Sequence, residues 1–304
     1  MATGPPAQTH PIGGMNEPWP SPENLAAATE THRQGAFVVA SRKLPISKAG
    51  PIDAMEKDIR IPVPEMIFGD NLVSITHAPT GWAIEFNARD ALDAVDKTGA
   101  NMLQVAYAGE WSASREQTSA GIREVVRPFD WSYSTTYKGT VTTRTSGNGV
   151  ANGGRESEDA GRGETREFTP TNEPIPIELL KRRDPILFFD NVMLYESELD
   201  DNGISVLSVK LRVHEQRMLL LSRLYMRLDN VVCRIRDTRV YVDFASEVVT
   251  REYVAKEASF SDVKQKLLIS GLRPDEITVA LRDANRIADI LPAVEGTLES
   301  VSLA

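Results

Sequence analysis

From Val192 to Phe244, apolar and polar residues alternate with a period of two, interrupted only by short polar turns. Successive side chains of a strand point to opposite faces, so this stretch predicts antiparallel β-structure. Val209, Leu211 and Val213 share one face, with Lys210 and Arg212 opposite. A two-residue Asp229-Asn230 turn would pair Leu228 with Val231, Met226 with Cys233 and Leu224 with Ile235. The same turn would set Tyr225 against Arg234 and Arg223 against Arg236 on the other face. Asp200-Asp201-Asn202-Gly203 has turn composition and lacks the closing Glu of a calcium loop.

Upstream, the elements are shorter. Phe37-Val38-Val39 predicts a strand, and Pro51 a helix running to about Ile59. Met66–Phe68 and Leu72–Ile75 flank Gly69-Asp70-Asn71 and predict a hairpin. Trp82–Phe86 predicts a strand, followed by Asn87 as the cap of a helix ending near Gly99. In that helix Ala88, Ala91, Leu92 and Val95 form one apolar stripe. A further helix is predicted at about Ala108–Gln117. In WSYSTTYKG, Trp131, Tyr133, Thr135 and Tyr137 alternate with smaller polar residues and Lys138, which predicts a strand with one aromatic face. Across Ile175–Leu199 periodicity does not separate helix from strand; a short helix followed by a strand is the reading adopted. Pro274 opens a helix reaching about Leu291, with the stripe Ile277, Ala280, Leu281, Ala284, Ala288 and Leu291.

Two segments lack the apolar residues a core needs. Residues 1–35 are rich in Pro, Gly, Ala and Thr and are expected to be a disordered tail, with at most a fraying helical turn near Glu23–His32. Residues 144–167 hold six glycines and a single valine, too little apolar area to offset ordering entropy. Strand-like sequence flanks that segment, so it is expected to be a loop expanded within a domain, which costs little closure entropy. The expected organisation is a tail (1–35), one globular domain (36–292) carrying the loop, and a C-terminal tail (293–304).

Composition narrows the classes. The formal net charge of −9 and pI near 5.1 argue against a nucleic-acid or anionic-membrane surface, which would need a dominant cationic face. Cys233 is the single cysteine, and no Asn-x-Ser/Thr acceptor occurs. Both fit a reducing compartment, cytosolic or nuclear. The start of the chain lacks a signal-peptide pattern, and no apolar run reaches the roughly 20 residues of a membrane helix.

Catalytic and metal motifs are missing from the sequence. His10, His32, His77 and His214 stand apart, without H-x-x-x-H or C-x-x-C spacing. There is no G-x-S-x-G elbow and no phosphate loop. Cys233 falls on an apolar strand face opposite Met226, where a small buried hydrophobe is expected rather than a reactive thiol. Arg223, Arg227, Arg234, Arg236 and Arg239 occupy one hairpin, at least four on the same face. Either they form a solvated face neutralised by neighbouring acids, or they bind an acidic or phosphorylated segment through their guanidinium forks. Asp90 suits the N-terminal turn of the Asn87-capped helix. It also points away from the apolar stripe, which leaves it solvent-facing and open to a partner.

Several segments resemble the Tip-forty-one-like (TIPRL) family of TOR-pathway regulators: PEMIFGDN (64–71), GWAIEFNARDAL (81–92), EWSASRE (110–116), RPFDWSYSTTYKGT (127–140), LFFDNVMLYESELDDNGISVLSVKLRV (187–213) and RLDNVVCRIRDTR (227–239). The resemblance implies an α+β fold of curved, mainly antiparallel β-sheets with peripheral α-helices forming a cleft. It implies binding to the catalytic subunit of type 2A-family protein phosphatases and, in yeast-like organisms, to the Tap-forty-two/alpha-four phosphatase partner downstream of TOR. The positions matching family residues tied to phosphatase binding are Asp90, Ile175, Ile235 and Asp237, although Ile235 stands where members can carry Met. Residues 1–35 and 144–167 fall outside what the resemblance covers. By position, Asp237 is expected at a solvent rim and Ile175, beside two prolines, is expected to be accessible.

The expected function is therefore a non-catalytic phosphatase regulator, with no cofactor or metal. Two alternatives stay open: an acidic-peptide or phosphopeptide reader using the arginine face, and an enzyme with an unrecognised carboxylate pair such as Glu85 and Asp130.

Overall fold

The computed structural model describes residues 20–98, 129–143 and 166–304. In chain order, helix α1 (Pro22–Ala27) precedes strands β1 (Thr29–Gln34) and β2 (Phe37–Arg42), then helix α2 (Ala49–Ile59). Strands β3 (Met66–Ile67), β4 (Leu72–His77) and β5 (Trp82–Asn87) lead into α3 (Ala88–Asp93), and β6 is Thr140–Thr143. After β7 (Thr169–Pro170) and α4 (Ile177–Leu180) come the long strands β8 (Phe188–Ser197), β9 (Gly203–Val213), β10 (Arg217–Leu228), β11 (Val232–Asp243) and β12 (Val248–Ser259). Helices α5 (Phe260–Ile269), α6 (Pro274–Ala280) and α7 (Ala284–Ile290) follow, and β13 (Ala293–Ser302) closes the order.

The strands form two antiparallel sheets, an α+β arrangement. One has five strands in the order β1-β2-β4-β5-β6, the other eight in the order β3-β8-β9-β10-β11-β12-β13-β7. A single apolar cluster joins them: Phe37, Ile75, Trp82 and Phe86 from the first pack with Leu194, Leu211, Leu224 and Val240 from the second. The face of the eight-stranded sheet turned to this cluster is its inner face. On its outer face a second cluster forms, in which Tyr225, Cys233 and Ile235 pack against Phe260, Val263, Leu267, Ile277 and Ile287 of the three C-terminal helices.

Several elements differ from the sequence-based expectation, each for a local reason. Thr29–Gln34, expected in the tail, pairs with β2 from Thr29↔Arg42 to Gln34↔Phe37. Ala293–Ser302, also expected as tail, pairs with β12. Both are polar strands at or near sheet edges, where solvent exposure removes the apolar alternation that marks a strand. Met66–Ile67 and Leu72–His77 are not a hairpin: β3 pairs with β8 and β4 with β2 and β5. The Asn71 amide holds the crossing, accepting from the Leu44 N–H at 2.6 Å and donating to the Met193 carbonyl at 2.7 Å.

The segment at Trp131–Tyr137 is not a strand either, apart from a Val95↔Thr135 bridge. Asp130 pulls it into a turn by accepting from the Ser132 N–H and hydroxyl, and Tyr133 takes a positive φ of 54°. The aromatic rings instead fill gaps, Tyr133 against Tyr195 and Tyr137 against Phe86. The Asn87-capped helix ends at Asp93, earlier than Gly99, although Ala88, Ala91, Leu92 and Val95 are buried as the stripe requires. The helix expected at Ala108–Gln117 lies outside the described residues, as does most of the 144–167 segment. The single helix expected from Pro274 to Leu291 is two, because the Asp283 carboxylate caps a new start at Asn285 and Arg286.

The most consequential difference is a register. Leu228 pairs with Val232, so Met226 faces Arg234, Tyr225 faces Ile235 and Arg223 faces Asp237. The loop has three residues, with Asn230 left-handed at φ 63°. A shift of one residue exchanges the faces of one strand relative to its neighbour. Alternation could not set it, because β11 is buried on both faces and each face offers it apolar partners.

Candidate functional site

The outer face of the eight-stranded sheet carries a pocket of about 580 Å³. Its floor is built from alternate residues of β9 (Ile204, Val206, Ser208 and Lys210), and its far side from Leu221, Arg223, Tyr225 and Arg227 of β10. The α6–α7 turn forms one wall through Arg282, Ala284 and Asn285. That turn is pinned by the strand beneath it. Tyr225 and Arg227 both donate to the Leu281 carbonyl, and Arg223 donates to the Asn285 side chain at 2.8 Å.

The corrected register decides the electrostatics. Arg223 donates to both Asp237 oxygens, at 2.7 and 2.6 Å, with Asp237 only 2% exposed. Arg239 pairs with Glu252 at 2.6 Å and lies 3.6 Å from Asp237, while Arg227 pairs with Asp229 at 2.6 Å. Arg234 and Arg236 face inward and share Glu257, at 2.7 and 2.9 Å. Burial opposes ionisation of Glu257, but the two guanidiniums outweigh it and hold its carboxyl below the usual range. The arginines therefore divide between two faces, and each is engaged by an acidic partner. This corrects the single exposed face of at least four.

The positions linked to the family's partner binding are placed unevenly. Ile235 is fully buried under the helices and Ile175 is 3% exposed, so neither the accessible Ile175 nor the solvent-rim Asp237 is found. Asp90 retains some exposure, but its carboxylate is engaged rather than free. It accepts from Thr140, from Asn87 at 3.1 Å and from Arg89 at 3.0 Å. Burial works against its ionisation, and these donors outweigh it and hold its pKa below the ordinary value. The four do not converge on one contact surface: Ile235 and Asp237 lie under or beside the outer-face helices, whereas Asp90 sits against β6 of the other sheet.

The alternative chemistry gains no support from geometry. Asp130 accepts from Ser132 and lies 3.7 Å from Arg234; Glu85 accepts from Asn87 at 2.9 Å, so the two carboxylates have separate partners. Burial raises the Asp130 pKa. His77 contacts Thr80 at 2.8 Å and Glu247 at 3.3 Å, and His214 lies 2.9 Å from the Pro185 carbonyl. Among the described residues, no group of three or more His, Cys, Asp or Glu side chains could hold a metal ion. Cys233 is buried opposite Arg227, not Met226, and burial pushes its thiol up to about 12. At pH 8 the folded protein is expected to react with a disulfide reagent about a hundredfold more slowly than the urea-unfolded chain. Equal rates would contradict this placement.

Glu196, Glu198 and Arg282 were not singled out from sequence, and Asp201 was read only as a turn residue. The only available signal was the alternation of Ile204, Val206, Ser208 and Lys210, which marks a half-open strand face.

Fold and pocket together define a class: an α+β protein of two packed antiparallel sheets, with a helical layer covering part of one outer face. The model of the TIP41-like family matches residues 66–264. A TIP41-like protein of Dictyostelium discoideum is 35% identical over 271 residues, covering 88% of this chain and 91% of that protein. The TIP41-like protein of Homo sapiens is 35% identical over 268 residues, covering 88% and 87%. The type 2A phosphatase activator TIP41 of Saccharomyces cerevisiae is 34% identical over 280 residues, covering 87% and 72%. The chain belongs to the TIP41-like family.

Proposed function

We propose that this chain is a non-catalytic regulator of type 2A protein phosphatases that binds the catalytic subunit and acts in TOR signalling. The observation that carries the reading is the yeast relative named as a type 2A phosphatase activator, similar along 87% of this chain. The outer-face pocket supports it, since a polar-walled depression on a rigid sheet suits recognition of another protein. The alpha-four partner would join the same assembly, in the cytoplasm and the nucleus.

Asp90, Ile175, Ile235 and Asp237 serve this binding in two ways. Asp90, the most exposed of the four, contributes by contact, and the three buried residues by holding the surface in shape. Full-length protein mixed with a type 2A catalytic subunit should co-elute from a sizing column. Asp90→Leu should weaken the complex about tenfold, or roughly 1.4 kcal/mol. It should also lower the unfolding midpoint, because Thr140, Asn87 and Arg89 lose their acceptor, so the affinity is measured where the variant is still fully folded. Unaltered affinity would remove Asp90 from the contact. Failure of the parent protein to co-elute would remove the function.

A further inference from the structure

On the floor strands of the outer-face pocket, the unpaired carboxylates and the unpaired lysine stand toward opposite ends. At one end stand Glu196, Glu198 and Asp201, none with a side-chain ion-pair or hydrogen-bond partner among the described residues. At the other end stands Lys210, exposed and likewise unpartnered, beside Leu221 of the neighbouring strand. The floor is apolar at Ile204 and Val206, with Glu196 directly beside Val206 on the adjoining strand, and only Ser208 separates this apolar patch from Lys210 on that face of β9. Arg282 on the wall has no side-chain partner either, and it can donate to the carbonyls of a chain lying below it.

We infer that this pocket takes an extended peptide segment of a partner protein with opposite charges at its two ends. A basic side chain sits among Glu196, Glu198 and Asp201, an apolar one covers Ile204 and Val206, and an acidic group meets Lys210. Dimensions agree with this occupant. Gly203 to Lys210 spans about 24 Å at roughly 3.4 Å per residue, which accommodates about seven extended residues. Charge is the discriminating feature. The outer-face arginines of the β10–β11 pair (Arg223, Arg227 and Arg239) already have carboxylate partners, so an occupant that is acidic throughout would meet Lys210 and Arg282 and be repelled by three unpaired carboxylates. The inference deepens the proposed function by naming the chemistry of the docked segment. It rests on that function only for the partner's identity.

The test uses the full chain and a fluorescein-labelled heptapeptide of the pattern Lys-Ser-Leu-Ser-Val-Ser-Glu, read by fluorescence polarisation at low salt. The peptide should bind about tenfold more tightly than its version with Glu at both ends. Glu196→Lys with Glu198→Lys should reverse that preference, and Val206→Asp should abolish binding of both, with circular dichroism unchanged. Equal affinity for the two peptides, no binding by either, or binding that survives Val206→Asp would overturn the inference. So would a concentration-dependent dimer of the parent chain that Val206→Asp dissolves, because the face would then belong to a second copy. The phosphatase is scored separately. If the catalytic subunit never co-elutes while the peptide results hold, the proposed function fails and the pocket assignment stands. If the lysine variant reverses the peptide's charge preference as expected but co-elutes unchanged, the pocket again stands and the phosphatase docks elsewhere.

Discussion

Asp237→Leu is expected to destabilise the protein by about 3–5 kcal/mol, seen as a lower urea midpoint at unchanged slope. The reason is the guanidinium it would leave behind. Arg223 is itself only 13% exposed, and both Asp237 oxygens accept from it. With the carboxylate gone, a positive charge remains in a site with little water, and Arg239, which lies 3.6 Å from the Asp237 carboxylate, also loses that neighbour. Asp237→Asn should cost less, about 1–3 kcal/mol, because the amide oxygen still accepts one hydrogen bond. Combining Arg223→Leu with Asp237→Leu should recover most of the loss, since removing both partners of a buried pair is often close to neutral. No recovery would mean that Arg223 acts chiefly by pinning Asn285 and the α6–α7 turn. The same logic bears on partner binding: Asp237 can influence the outer face without touching anything beyond the protein.

Gly203→Ala is expected to cost about 3 kcal/mol, for a backbone reason. A methyl group there would lie 1.9 Å from the Arg227 carbonyl oxygen and 3.1 Å from the Leu228 Cα. Neither obstacle is a flexible side chain, so β9 and β10 must part where they meet at Gly203↔Leu228. Gly203 also lines the pocket, so the variant should loosen peptide binding as well as stability. Gly271 is the control. It has φ +90° with nothing within 4 Å of an added Cβ, so Gly271→Ala should cost about 1 kcal/mol, from backbone conformation alone. Thermal unfolding of the two variants side by side distinguishes collision from strain. Equal losses would show that β9 and β10 yield easily at their mouth.

The legible parts of the fold were those where one face is buried and the other wet. Along β9, Leu207, Val209, Leu211 and Val213 are buried while Val206, Ser208 and Arg212 are partly open and Lys210 is exposed, and the alternation reports this directly. The Asn87 cap was legible too, because its side chain accepts from the Asp90 N–H at 2.8 Å as its position implies. Legibility failed where both faces are covered or neither is. Cys233 and Ile235 serve the helical layer while Val232 and Val240 serve the sheet-on-sheet core, so the β10–β11 register had two apolar solutions. At Thr29–Gln34 hardly anything is buried, and the pairing there comes from β2 rather than from side chains.

The site followed the same rule. Its floor lies within the alternating stretch, but its walls come from turns at Asp201 and Arg282, distant in sequence. The helix break that presents Arg282 depends on Asp283 capping a second start, and an apolar stripe continuous through Leu281 and Ala284 concealed it.

Local pattern by itself determined the class: long antiparallel strands, a capped helix at Asn87, an apolar C-terminal helical stripe, and family segments distinctive enough to name. Those features depend on neighbours a few residues away, and their information is contained in short windows. Tertiary structure decided which face of β11 meets which core, which arginines stay paired, and that Ile175, Ile235 and Asp237 are interior. These outcomes depend on contacts between distant residues, such as Arg223 with Asn285 and Tyr225 with Leu281, and they are set only when the helices close over the sheet.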